Sequence, residues 1–164
     1  MTEVTYRRSG LELEADWSDW HWQLDNSLRR PAPAPGDLPV SVTPYYRSLI
    51  DESDPNDPIG LMAFPAKEHA EDLLEEDPIR EEEHAIMPGL VQRYPDRALL
   101  LVSGDCPVHC RHCTRRIIGR GSIVPAVGAD LDRALAHIAS DPRIRDVIVS
   151  GGEPLLLGDD EILG

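Results

Sequence analysis

Arg97 to Ser103 reads RALLLVS, a short unbroken apolar run of the kind that forms a strand buried on both faces of a parallel sheet. A second such run, DVIVS, spans Asp146 to Ser150. Between them Leu131, Ala134, Leu135 and Ile138 recur at helical spacing, which predicts a helix over Asp130–Ala139 with one apolar face. Asp130 is placed to cap that helix, and Asp141-Pro142 to stop it. Strand, helical crossover and strand make a βαβ unit, for which a right-handed connection is expected. Both strands then end in loops at their carboxyl ends, where α/β barrels carry their chemistry.

Upstream the pattern is different. Trp17, Trp20, Leu24 and Leu28 fall three and four residues apart and predict an amphipathic helix within Leu11–Arg30. Pro31 to Pro39, PAPAPGDLP, reads as a stiff extended linker. Thr43 caps a short helix with Pro44 in its first turn. Asp51 to Gly60 is a turn-rich connection, and Pro65 opens another helix that ends near Asp77-Pro78. Nine acids against one arginine between Glu68 and Glu83 read as a solvated face. Residues 1–92 are therefore expected to be a helical region with proline-rich connections, and residues 93–164 an α/β domain.

Composition narrows the classes. A net charge of −14 over 164 residues excludes a nucleic-acid surface, which needs clustered Lys and Arg. No apolar run approaches the ~20 residues of a membrane span, and the first residues lack an apolar signal core. The three cysteines, Cys106, Cys110 and Cys113, share one short loop and suit a reducing compartment, so a soluble cytoplasmic protein is expected. Thiolates on one loop can converge on a soft metal centre. A zinc site with His109 or His112 as fourth ligand and an iron–sulfur cluster are both open on the residues alone.

Other residues carry weaker chemistry by themselves. Gly151 and Gly152 end a strand and would let a ligand approach the backbone, while Glu153 can accept hydrogen bonds from an ammonium. Arg93, Tyr94 and Arg97 just before the first strand suit a phosphate, or an ion pair with Asp96. The one lysine, Lys67, sits among acids that favour its charged form and reads as a solvated helix charge.

The wider text supplies a family. CxxxCRHCTRR, preceded by PGLVQRYPDRALL and followed by DPRIRDVIVSGGEPLLL, resembles the lysine 2,3-aminomutase family of radical S-adenosylmethionine (SAM) enzymes. DWHWQLDNSLR and VTPYYRSLIDESDPNDPIG extend the likeness upstream to about Trp17. The resemblance implies an N-terminal helical domain followed by the first two βα units of a partial TIM-type barrel, so the chain reads as truncated. It implies a [4Fe–4S] cluster on Cys106, Cys110 and Cys113, with SAM on the open iron and its amino group held by Gly151, Gly152 and Glu153. It also implies pyridoxal phosphate, contacted by Arg93, Tyr94 and Arg97, with the Schiff-base lysine outside this chain. Arg115 would meet the carboxylate of an amino acid substrate, and flavodoxin or ferredoxin would supply the electron. The full-length protein would migrate an amino group from the α- to the β-carbon, and the resemblance allows a homo-oligomer. The competing expectation is an inactive fragment that binds a cluster or zinc only.

Overall fold

The computed structural model describes residues 20–32, 38–65, 77–115 and 124–163. Trp17, Lys67 and most of the acidic run lie outside these residues, and with them the helix expected from Pro65. The chain divides into two compact units at Glu71/Asp72, with the stretch Pro107–His112 belonging to the first. Among the described residues no helix is long and apolar enough to cross a membrane.

In the first unit the helix expected within Leu11–Arg30, with Leu28 on its apolar face, ends before Leu28. Helix α1 spans Trp20–Asp25, and Leu28–Arg30 is strand β1, paired antiparallel with β2, Val40–Val42. The stop is local: the Ser27 amide and hydroxyl turn back onto the carbonyls of Leu24 and Gln23, at 3.2 and 2.9 Å, in competition with continued helix. The proline-rich segment thus joins the two strands of a ribbon. Helix α2, Pro44–Ser48, is as expected, with Thr43 Oγ1 accepting the Tyr46 amide at 3.3 Å. Helix α3, Pro58–Ala63, was hidden in the turn-rich stretch, yet uses the same device: Asp57 Oδ1 accepts the Gly60 amide at 2.7 Å and Pro58 fills the first turn. Val40, Val42 and Ala63 form this unit's core, with Tyr46, Phe64 and Val108 packed against it.

The second unit is a four-stranded sheet in the order β3-β4-β5-β6, with β3 at Ala85–Met87, β4 at Leu90–Tyr94, β5 at Arg97–Ser103 and β6 at Asp146–Gly151. Strands β5 and β6 pair in parallel from Arg97↔Asp146 to Ser103↔Gly151, with helix α4, Ala129–Ser140, between them in the chain. This is the βαβ unit expected from the apolar runs. The antiparallel strands β3 and β4 were not foreseen, and they make the sheet mixed. At the β3–β4 turn Gly89 has φ +72, and a Cβ there would overlap the Ala126 amide nitrogen, so only glycine fits. Helix α4 is not capped by Asp130: Gly128 holds the cap position, and Asp130 lies inside the first turn, ion-paired with Arg133. Helix α4 ends at Asp141, as its Asp-Pro stop implied. Helix α5, Asp159–Leu163, follows β6.

The main core joins Leu90, Ala98, Leu100, Ala126 and Ala134, with Leu131 and Ile138 packed against it. Helix α4 therefore lies over β5. Strand β6, expected to be buried, is instead the sheet's edge, with Val147, Ile148 and Val149 40%, 56% and 53% exposed. Alternation puts Ile148 on the face opposite Val147 and Val149, so apolar surface is open on both faces of this edge. A hydrophobic dye is expected to bind here. Ile148→Lys should lower dye fluorescence and raise soluble yield, with stability changed by no more than about 0.5 kcal/mol. Unchanged fluorescence would count against β6 as the open patch.

Candidate functional site

Because β5 and β6 run parallel, their carboxyl ends emerge side by side. Strand β5 leads into Gly104-Asp105-Cys106 and β6 into Gly151-Gly152-Glu153. Backbone bonds tie the two loops: the Gly152 amide donates to Ser103 O and the Glu153 amide to Asp105 O, each at 2.7 Å. The Asp105 amide in turn donates to Ser103 Oγ at 3.1 Å. A Cβ on Gly151 would overlap the Ser103 carbonyl oxygen, and one on Gly152 the Asp105 carbonyl oxygen. Gly151 also has φ +124. The glycines therefore let one loop's backbone approach the other's, a reason different from the ligand access expected from the sequence. Glu153 accepts the Leu155 amide at 3.0 Å and so caps the turn Pro154–Leu156.

Cys106, Cys110 and Cys113 are each half-buried, and none is in a disulfide. Cys106 and Cys113 belong to the second unit, whereas Cys110 lies in the stretch that packs in the first. That stretch is tied down at several points. The His109 amide donates to Ser41 O at 2.9 Å and the Arg111 amide to Met62 O at 2.7 Å. His109 Nδ1 meets Pro39 O at 3.0 Å, and Arg111 Nη1 donates to Leu38 O at 2.8 Å. Val108 adds its side chain to the first core. The Tyr46 phenol is pushed up from its ordinary pKa, first by burial and then by the charge of the nearby Cys110 thiolate. Among the described residues no three His, Cys, Asp or Glu side chains are drawn together as a metal site. The donor set is still the one that iron–sulfur ligation takes: three thiols on one loop, all partly open to solvent.

Arg115 lies two residues past Cys113, and its guanidinium is pinned twice. Nε donates to Glu81 Oε1 at 2.8 Å and Nη1 to Ser150 Oγ at 3.2 Å. Glu81, expected on a solvated acidic face, is buried, its side chain only 5% exposed against 26% for Arg115. Nothing in the local pattern sets Glu81 apart from Glu82 and Glu83; only the fold does.

Arg93, Tyr94 and Arg97 gather around one ring, with guanidinium carbons 5.8 and 5.4 Å from the Tyr94 centroid. Arg97 also donates from Nε and Nη2 to Asp96, both at 3.1 Å, the ion pair left open from sequence. These hydrogen bonds hold the Asp96 carboxyl below, and the Arg97 guanidinium above, their ordinary values. The trio stands at the start of β5 and the cysteine loop follows its end. Seven residues of strand, about 20 Å, separate them.

Residues 95–163 match a family described as a 4Fe-4S single cluster domain. L-lysine 2,3-aminomutase of Clostridium subterminale is 39% identical over 170 residues, which cover 91% of this chain and 40% of that protein. The L-lysine 2,3-aminomutase of Methanococcus maripaludis is 34% identical over 88% of the chain and 39% of its own length. Glutamate 2,3-aminomutase of Clostridioides difficile is 33% identical, over 90% and 39% respectively. The chain thus spans about two fifths of the length of the curated relatives it matches. The likeness over nine-tenths of the chain, together with a cluster-domain match that begins just ahead of β5, supports the lysine 2,3-aminomutase family of radical SAM proteins for this chain.

Proposed function

We propose that this chain carries the cluster- and SAM-binding part of a 2,3-aminomutase, an isomerase that moves an amino group from the α- to the β-carbon of an amino acid. The observation that carries this reading is the paired loop ends: parallel strands deliver the cysteine loop and Gly151-Gly152-Glu153 together, tied by two bonds of 2.7 Å. Cys106, Cys110 and Cys113 would hold a [4Fe–4S] cluster. When bound, it supplies the electron that cleaves SAM to a hydrogen-abstracting radical. Glu153 keeps acceptor capacity beyond its bond to Leu155, and suits the SAM ammonium. Arg115 holds a guanidinium at the same edge of the sheet, through Ser150, and suits the substrate's α-carboxylate.

For pyridoxal phosphate the chain offers the Arg93, Tyr94 and Arg97 surface, whose chemistry suits a phosphate. Its Schiff-base lysine lies outside this chain in this reading, since Lys67 is the one lysine here. An amino acid is the substrate, and flavodoxin or ferredoxin the class of electron donor.

Anaerobic reconstitution with iron and sulfide tests the reading. Broad visible absorption and, on reduction, an EPR signal that SAM perturbs are expected. Tight stoichiometric zinc with neither signal would overturn it.

A further inference from the structure

We infer that Glu81 is a positioning residue: its buried carboxylate holds the Nε edge of Arg115 and so keeps the other edge of the guanidinium available to the carboxylate of a bound α-amino acid. The inference rests on the reading of Arg115 given above.

The guanidinium has five N–H donors. One goes to Glu81 and one to Ser150. The second N–H of Nη1 and both of Nη2 donate to no described residue, which leaves donors enough for a carboxylate to take two bonds. Arginine side chains are long and lose rotamer freedom on binding, so a guanidinium already held in place binds more tightly than a free one. Glu81 can provide that hold because its own backbone is fixed. The His84 amide donates to Glu81 O at 3.1 Å, and the Glu82 amide to Asp77 Oδ2 at 2.9 Å, which closes the turn ahead of β3. From the other side Ser150 is the next-to-last residue of β6, beside Gly151. The Arg115 head group is therefore clamped between the turn before β3 and the carboxyl end of β6.

A finished structural ion pair would bond both carboxylate oxygens. Here Glu81 Oε2 is buried and accepts no hydrogen bond among the described residues. The pair is thus organised around the one bond that orients Arg115.

Calorimetric titration of the cluster-reconstituted chain with two probes tests this. L-lysine carries the carboxylate, and 1,5-diaminopentane has the same skeleton without it. Wild type is expected to prefer L-lysine, and Arg115→Lys, which keeps the charge but loses the fork, to lose that preference. Glu81→Gln should weaken L-lysine binding about ten-fold, the weight of one charge-assisted bond, and leave 1,5-diaminopentane unchanged. If Glu81→Gln does not fold, Glu81→Asp carries the test, since it keeps the buried charge and retracts it by one methylene; L-lysine alone should again weaken. Unaltered preference in the Glu81 variant, with Arg115→Lys still impaired, overturns the inference and leaves the Arg115 reading standing. No preference in wild type overturns both.

Discussion

Replacing any one of Cys106, Cys110 and Cys113 by serine is expected to abolish iron uptake outright. The chain holds three cysteines in all, so no spare thiol can move in, and a serine hydroxyl is too hard and too weakly acidic to replace a thiolate on iron. The three positions should fail alike although their settings differ. Cys110 sits on a stretch tied to the carbonyls of Leu38, Ser41 and Met62, whereas Cys106 and Cys113 flank it in the sheet-bearing unit. Iron and acid-labile sulfide per chain, with the visible absorption, are the measurements. Near-complete iron in one variant would remove that residue from the ligand set.

Gly152→Ala is expected to be strongly destabilising, although it adds a single methyl group. The new Cβ would overlap the Asp105 carbonyl oxygen and stand 2.7 and 2.9 Å from the Asp105 carbonyl carbon and amide nitrogen. These are backbone atoms and cannot rotate away. The loops must separate, which puts at risk the two 2.7 Å bonds from Gly152 and Glu153. Overpacking at about 1–3 kcal/mol plus about 1 kcal/mol for each bond gives a loss of roughly 3–5 kcal/mol. Gly151→Ala adds backbone strain of about 1–3 kcal/mol at φ +124 to a similar overlap with Ser103 O. Gly158→Ala is the control, because a Cβ there meets only Glu161 Oε2 at 3.5 Å. Denaturant unfolding of the three variants decides it. A midpoint for Gly152→Ala close to that of Gly158→Ala would show that the loops are not held together as described.

What could be read from the chain was what is written locally. Strands β5 and β6 announce themselves as apolar runs, and α4 as a spacing of Leu131, Ala134, Leu135 and Ile138. The cysteines stand out by number and spacing. What escaped depends on partners distant in sequence. Leu28–Arg30 continues a helical pattern and becomes strand only because Val40–Val42 returns beside it. Leu90 and Val91 are apolar but soon give way to Gln92 and Arg93, and their burial comes from pairing with Leu100 and Leu99. Strand β6 reads as buried, yet α4 covers its neighbour instead. Glu81 reads as one more surface acid, and only Arg115, 34 residues on, takes it inside. The glycines of the GGE loop were recognisable as special, but not that Ser103 and Asp105 were the reason.

The stretch Pro107–His112 also bears on the order in which the protein is made. Its bond from Arg111 to Leu38 closes a loop of 73 residues, at a chain-entropy cost of about 4 kcal/mol before any packing repays it. Contacts of that sequence separation form slowly. During synthesis the amino-terminal segment leaves the ribosome first and folds first. The carbonyls of Leu38, Ser41 and Met62 therefore stand ready when Val108, His109 and Arg111 emerge. The middle thiol of the loop settles on a surface already built, while β6, some forty residues further along, has yet to be translated.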